Sequence, residues 1–225
     1  MALDPNEQPN PPIVKFESML KTDDVYFFDA EDFEDIIHHY LNHGKISLAK
    51  KAIRMGLEQH PCSLDIRLLD VEVLVFENQF DRSEQILDEL QSLEPNNAEI
   101  YIQRANIQSK QDNHHAAIAM LENALDYADD TGDLYSLLGM EYLFVDDYTH
   151  ARKCFVKCLE ADPEDYASLY NIIYCYEYLD ETDGAIRYLN TFLESRPYCQ
   201  IAWHQLGKQY YTVKMYKEAL AAFDS

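Results

Sequence analysis

The sequence predicts an all-α solenoid, a stack of helical hairpins, and a 34-residue period carries that prediction. Four of the 8 prolines follow this period, with Asp129 where a fifth would stand: Pro61, Pro95, Pro163 and Pro197. Division of the 225 residues at the same interval gives six units, which begin at Ala30, Leu64, Ala98, Gly132, Tyr166 and Gln200. Self-similarity at one fixed period is typical of repeat proteins, in which each unit packs against its neighbours.

Apolar residues recur in most units at positions 4, 7, 8 and 11, and again at positions 20, 24, 27 and 28. Residues at intervals of three and four lie on one face of an α-helix, so each unit is predicted to contain two amphipathic helices. Position 20 holds only small residues: Ala49, Ser83, Ala117, Ala151, Ala185 and Ala219. A small residue there lets the second helix approach the first closely, which predicts a tight hairpin.

Residues that start and stop helices stand at the predicted boundaries. The residues that precede the six units are Asp29, Ser63, Asn97, Thr131, Asp165 and Cys199. The first five are good N-caps, because a side-chain oxygen can accept a hydrogen bond from a free amide of the first turn. Position 15 is predicted to form the turn between the two helices, and it is held by Gly44, Asn78, Asp112, Asp146, Asp180 and Lys214. The periodic prolines end the second helices, because proline has no amide hydrogen.

The two ends of the chain depart from the repeat. Residues 1–12 are rich in Pro and Asn, and we expect a disordered N-terminal tail there. Residues 13–28 are expected to cap the first unit with a short helix, whose apolar positions are Ile13, Phe16, Met19 and Leu20. The predicted repeat domain is 30–225, with units at 30–63, 64–97, 98–131, 132–165, 166–199 and 200–225. The last unit stops within its second helix, which favours truncation from a longer protein because an uncovered terminal repeat is poorly soluble.

The composition narrows the classes of partner. Against 18 Lys and Arg stand 41 Asp and Glu, which gives a net charge of −23. Repulsion argues against nucleic acid and anionic membranes, and leaves a neutral or basic protein partner. The N-terminus lacks the basic and apolar regions of a secretory signal, and no stretch approaches the roughly 18 apolar residues of a membrane span. The 5 cysteines form no CxxC pair, so a reducing, cytoplasmic compartment is expected.

The repeat columns resemble the tetratricopeptide repeat family. The sixth unit carries the family's large and small positions as Trp203, Leu206, Gly207, Tyr210, Ala219 and Phe223. The fourth unit carries them as Tyr135, Leu138, Gly139, Tyr142, Ala151, Phe155 and Pro163. The second and third units depart from the pattern, with Asp70 and Arg104 in the usually apolar seventh column. The resemblance implies a right-handed superhelix whose concave face is lined by the first helices.

No sequence pattern indicates a catalytic centre. The chain has no Gly-rich phosphate loop, no nucleophile-elbow motif and no HExxH motif, so we expect neither an enzyme nor a bound cofactor. Three groups offer weaker alternatives: the histidines His38, His39 and His43, the thiols Cys154 and Cys158, and the carboxylates Glu31, Asp32, Glu34 and Asp35. Helical spacing favours a surface cluster for the histidines and a packed core position for the thiols. The carboxylates are interpreted as the charged first turn of a helix, so no metal site is expected.

The resemblance implies that ligands contact positions 2, 5, 6, 9, 12 and 13 of the first helices. Fourteen of the 17 tyrosines follow residue 126, so the second half offers the richer contact surface. The predicted peptide-binding residues are Met140, Phe144, Tyr170, Asn171, Tyr174, Tyr178, His204, Lys208 and Tyr211. Tyr170, Tyr174 and Tyr178 form a stripe spaced by four residues, and packing between hairpins is the alternative interpretation of that stripe.

The resemblance therefore implies a non-enzymatic scaffold that binds a peptide or helical segment of a partner protein. The set of Lys and Asn residues with which some family members clamp an acidic chaperone tail is missing here, with only Asn171 in place. Acidic residues at position 2 favour a segment that carries Lys or Arg: Glu31, Asp65, Glu99 and Asp133. Two alternatives stay open, a self-associating structural subunit and the N-terminal repeat region of a longer regulatory protein.

Overall fold

The computed structural model describes residues 11–22 and 26–225 and confirms an all-α helical-repeat solenoid, with 13 helices and no strand in those ranges. Helix α1 (Pro11–Lys21) precedes the repeats. The hairpins are α2 (Ala30–Asn42) with α3 (Ile46–Gln59), α4 (Leu64–Phe76) with α5 (Phe80–Leu93), α6 (Ala98–Lys110) with α7 (His114–Leu125), α8 (Gly132–Phe144) with α9 (Tyr148–Ala161), α10 (Tyr166–Tyr178) with α11 (Thr182–Ser195), and α12 (Gln200–Thr212) with α13 (Tyr216–Phe223). Every first helix begins at the residue that opens its predicted unit.

The chain divides into two compact units, an N-terminal unit up to Ile107 and a C-terminal unit from Gln108 to Ser225. Each unit has its own buried apolar cluster. The N-terminal cluster is rich in aromatic residues, among them Phe16, Phe28, Phe33 and Tyr40. The buried residues of the C-terminal cluster are mostly aliphatic, and they include Phe155, Leu169, Ile172, Leu189 and Leu206. Each cluster is the hydrophobic core that stabilises its own repeats.

Helix α1 packs against the first repeat and begins at Pro11, two residues before the expected capping segment. Proline suits a helix start, where its missing amide hydrogen is not needed. The Phe16 ring is fully buried, with its centroid 6.1 Å from that of Phe28 and 6.0 Å from that of Tyr40. Residues 1–10 of the expected tail lie outside the described residues.

The turn inside each hairpin uses the left-handed backbone region, as position 15 predicted. The φ angles of these residues lie between 57° and 67°: Gly44, Asn78, Asp112, Asp146, Asp180 and Lys214. Gly, Asn and Asp tolerate this region better than other residues, which accounts for five of the six choices. Lys214 is the exception, and nothing in its surroundings explains it.

The predicted helix caps are confirmed in part. The Ser63 hydroxyl accepts a hydrogen bond from the Ile66 amide at 3.3 Å, and the Asp165 carboxylate accepts one from the Ser168 amide at 3.0 Å. The expectation for Thr131 is wrong, because its side chain makes no capping bond. Asp130 takes that role instead and accepts a hydrogen bond from the Gly132 amide at 3.0 Å.

Polar contacts replace apolar packing where Arg104 occupies the seventh column. Its guanidinium lies 3.0 Å from Glu84 and 2.6 Å from Asp88, both on α5, so an ion-pair network joins the second and third repeats there. Asp70 is half-buried in the same column of the second repeat, and this burial raises the pKa of its carboxyl group. The repeat therefore tolerates a polar residue in the seventh column. Arg104 is ion-paired there, and Asp70 is half-buried with a raised pKa.

None of the helices in residues 11–22 and 26–225 has both the length and the apolar character that a bilayer-spanning segment requires.

Candidate functional site

The C-terminal unit carries a cavity of about 510 Å³ on the face formed by its first helices, which we call the aromatic groove. Its walls come from three successive repeats. Helix α8 contributes Met140, Leu143 and Phe144, helix α10 contributes Tyr170, Asn171, Ile173, Tyr174 and Glu177, and helix α12 contributes Gln205 and Lys208. Spacings of three and four residues place each set on one side of its helix, so equivalent repeat positions line the groove together.

Six of the nine predicted peptide-binding residues line this groove: Met140, Phe144, Tyr170, Asn171, Tyr174 and Lys208. The other three lie outside it. The Tyr178 ring stacks on Tyr148, with centroids 4.7 Å apart. The His204 ring lies 5.6 Å from that of Phe223, and the Tyr211 ring lies 5.5 Å from that of Tyr216.

Four lining residues are missing from the sequence prediction: Leu143, Ile173, Glu177 and Gln205. Glu177 and Gln205 occupy positions 12 and 6, which the repeat columns already marked as ligand positions. The sequence prediction named neither Glu177 nor Gln205. Ile173 occupies position 8, a core column, and it reaches the cavity floor although only 2% of its surface is exposed.

Exposure distinguishes the groove aromatics from the packing tyrosines. Phe144, Tyr170 and Tyr174 are 59%, 47% and 41% exposed, although they are large apolar side chains. By contrast, Tyr142 is partly buried and donates its hydroxyl hydrogen to Glu122 at 2.9 Å. Burial and this hydrogen bond raise the Tyr142 pKa far above its ordinary value. The stripe residues Tyr170 and Tyr174 therefore present aromatic surface to solvent.

The Phe144 wall of the groove rests on a polar cluster. Its ring stacks on that of His114, with centroids 4.5 Å apart and planes 10° apart. His114 Nδ1 lies 2.8 Å from one oxygen of Glu141, and the Ser109 hydroxyl donates to the other at 2.6 Å. Glu141 is 7% exposed, so its carboxylate needs these partners. The cluster holds one groove wall in place.

The family model of the tetratricopeptide repeat matches residues 98–131 and 132–165, which are the third and fourth predicted units. Residues 98–165 therefore match two tandem tetratricopeptide repeats.

Solved structures share this repeat fold at low sequence identity. PilF of Pseudomonas aeruginosa is 17% identical, with a TM-score of 0.63, and the match covers 86% of this chain and 88% of PilF. PilW, described as a type IV pilus biogenesis factor, is 13% identical, with a TM-score of 0.62 and coverage of 86% and 90%. YrrB, described as a tetratricopeptide repeat protein with an unusual peptide-binding site, is 20% identical, with a TM-score of 0.56 and coverage of 77% and 89%. A comparison with curated protein sequences finds no match.

The first three repeats carry a cavity with different chemistry, which we call the acidic groove. Its volume is about 370 Å³, and it is lined by Glu34, His38, Asp65, Leu68, Leu69, Glu72, Asn97 and Glu99. Burial and the neighbouring carboxylates of Asp65 and Glu31 raise the pKa of Glu34. Burial also raises the pKa of Glu99, and Glu72 adds to that shift. Of the predicted position-2 carboxylates, Asp65 and Glu99 line this cavity.

The weaker chemical candidates sit in ordinary repeat positions. Cys154 and Cys158 are 8% and 5% exposed, and burial raises the pKa of the Cys154 thiol to about 12, so both are core residues. The imidazoles of His39 and His43 lie 4.3 Å apart, and His43 Nδ1 contacts the His39 carbonyl oxygen at 2.7 Å. In the described part of the chain, no group of three or more His, Cys, Asp or Glu side chains has the geometry to hold a metal ion.

Proposed function

We propose that the chain is a non-enzymatic scaffold that binds a peptide or a single helix of a partner protein in the aromatic groove. One observation carries the proposal: four large apolar side chains, Met140, Phe144, Tyr170 and Tyr174, are each at least 41% exposed within one concave surface. Exposed apolar patches of this kind mark interaction sites, and tyrosine is favoured in them. Tetratricopeptide repeats typically act as protein–protein interaction scaffolds, which supports this class of function.

Replacement of both Tyr170 and Tyr174 by Ala tests the groove. We expect capture of the partner from native cell extract to fall at least about tenfold, because truncation of central aromatic contacts typically costs more than 1 kcal/mol. Tyr198→Ala is the matched control, since that side chain is 94% exposed and lies outside the groove. Equal capture by the double variant and wild type, with unchanged circular dichroism, contradicts the proposal.

We also infer that the partner protein as a whole carries a net positive charge. The net charge of −23 and the four carboxylates of the acidic groove support this. Association should then slow as salt rises, because attraction between exposed charges is screened. An association rate that does not change between low and high salt contradicts a basic partner.

The five free cysteines favour a reducing compartment, and cytoplasmic localisation is part of the proposal. Three of them, Cys154, Cys158 and Cys175, are buried within the repeats. Alkylation of the protein during cell lysis, followed by mass spectrometry, should find all five thiols reduced. Disulfide-linked cysteines would contradict this localisation.

Self-association through α13 is a second candidate. Tyr216, Leu220 and Phe223 on this helix are 57%, 62% and 46% exposed. A dimer that buries them should dissociate when Leu220 is replaced by Glu, as measured by sedimentation velocity. A wild-type chain that stays monomeric at high concentration removes this candidate.

A further inference from the structure

We infer that the aromatic groove recognises a pair of opposite charges in its ligand, a basic side chain at Glu177 and an acidic group at Lys208, together with an apolar residue. This inference rests on the proposed peptide-binding function and specifies the chemistry of the bound segment. Three features carry it: the fixed carboxylate, the unpaired ammonium and the aromatic surface that lines the same cavity.

A hydrogen bond from a buried side chain holds the Glu177 carboxylate in place. One of its oxygens accepts a hydrogen bond from the side-chain amide of Gln209 at 2.7 Å. Gln209 is 1% exposed, so its amide position is fixed by packing between α10 and α12. The amide is neutral and leaves the negative charge of Glu177 uncompensated. No Lys, Arg or His of the described residues forms an ion pair with it. Glu177 is therefore a fixed and available acceptor for a cation.

Lys208 lines the same groove from the next repeat. Its ammonium forms no ion pair with any residue in the ranges that the structure describes, Glu177 included. Two opposite charges thus face one cavity without neutralising each other. A ligand that carries the complementary charges, a cation at Glu177 and an anion at Lys208, satisfies both.

The aromatic rings of the same groove favour an apolar segment and add to the binding of the cation. Tyr174 and Glu177 are three residues apart on α10, which makes them neighbours on one helix face. A Lys or Arg that reaches Glu177 therefore passes the exposed Tyr174 ring, where a cation–π contact adds to the ionic one. Met140 and Phe144 face the groove from α8 and provide apolar contact for another residue of the same segment.

A displayed library of random 12-residue peptides, selected on the immobilised whole chain, tests the inference. Peptides selected on wild type should be enriched in one basic residue, one acidic residue and at least one apolar residue. Selection on Glu177→Gln should lose the basic preference and keep the acidic one. Selection on Lys208→Gln should do the reverse. Glu194→Gln and Lys217→Gln are matched controls on exposed positions outside the groove and should leave both preferences unchanged.

Affinities of a wild-type-selected peptide provide the second measurement. We expect about a 3- to 10-fold loss with Glu177→Gln, the magnitude of one exposed ion pair with a cation–π contact. Peptides that show the same charge preferences on wild type and on both variants overturn the inference, while their release by Tyr170→Ala together with Tyr174→Ala keeps the groove proposal. Peptides that the tyrosine variant does not release, or no bound peptide, overturn both.

Discussion

The two units build the same hairpin and present different surfaces at equivalent positions. Position 9 is Tyr174 in the fifth repeat and Glu72 in the second, and both residues line a groove. Position 5 is Tyr170 in one and Leu68 in the other. The groove positions lie outside the core columns, so their chemistry can change without cost to the hairpin. One scaffold thereby offers an aromatic groove in the C-terminal unit and an acidic groove in the N-terminal unit.

The residues at positions 8 and 24, two core columns, change together from one repeat to another. Where position 24 is Phe, position 8 is Gly, as in Phe155 with Gly139 and Phe223 with Gly207. Where position 24 is Ile53 in the first repeat, position 8 is the larger Ile37. A Cβ added at Gly139 would lie 2.7 Å from the Phe155 ring, and one at Gly207 would lie 2.5 Å from the Phe223 ring. In the fourth and sixth repeats the absence of a glycine side chain therefore leaves room for the phenylalanine ring.

The largest expected effect is that of Phe155→Ala. The ring is 1% exposed, and its loss should reduce the free energy of unfolding by about 3–5 kcal/mol, measured by urea denaturation. Phe223→Ala in the same column should cost less than about 2 kcal/mol, because Phe223 is already 46% exposed. Equal losses at the two positions would show that the terminal hairpin is as fully packed as the internal one.

A smaller loss is expected for Gly139→Ala, about 1–3 kcal/mol, because the new methyl group collides with the Phe155 ring. Combination with Phe155→Leu should recover part of the loss, since Leu is the residue that other repeats place in this column. Gly132→Ala is the control, because its nearest neighbour is an Asp130 oxygen at 3.5 Å. A double variant that loses more stability than the sum of the two single losses would contradict a steric clash between the new methyl group and the Phe155 ring.

The smallest effect is expected in the acidic groove. Burial raises the folded-state pKa of Glu99, so the folded chain binds this proton more tightly than the unfolded chain does. Protonation of Glu99 therefore adds to the free energy of unfolding. This contribution is fully present at pH values below the unfolded-state pKa and is lost as pH rises through the folded-state pKa. Glu99→Gln should therefore stabilise the chain at pH 7 by about 0.5 kcal/mol, and the difference should shrink as pH approaches 4.

The exposed Glu58→Gln is the comparison for that measurement and should show no such pH dependence. Thermal unfolding of the three proteins between pH 4 and pH 7 provides the data. A wild-type chain that stays less stable than Glu99→Gln by the same amount at both pH values would show that desolvation of the carboxylate is not the cause.

The fold could be predicted from the sequence because each hairpin is specified by local signals. Small residues at position 20 and left-handed turn residues at position 15 recur in every repeat, so one column supports another. The groove could be predicted in part, since position alone identified Tyr170, Tyr174 and Lys208.

Contacts between neighbouring repeats could not be predicted in the same way. The Gln209 to Glu177 hydrogen bond joins residues 32 positions apart, and so does the contact of Ser109 with Glu141. A column gives the residue type within one repeat and not the partner across the interface. The Thr131 prediction failed for a local reason, because Asp130 offers a competing side-chain acceptor one residue earlier.

The paired Gly and Phe columns limit how such a chain can evolve. A first helix that carries Gly139 matches only a second helix that carries a phenylalanine, and joined to the α3 sequence with Ile53 it would leave a hole. Gene duplications that copy a whole hairpin keep the match, whereas crossovers inside the turn break it. The intact pair of helices is therefore the smallest segment whose exchange keeps this core contact.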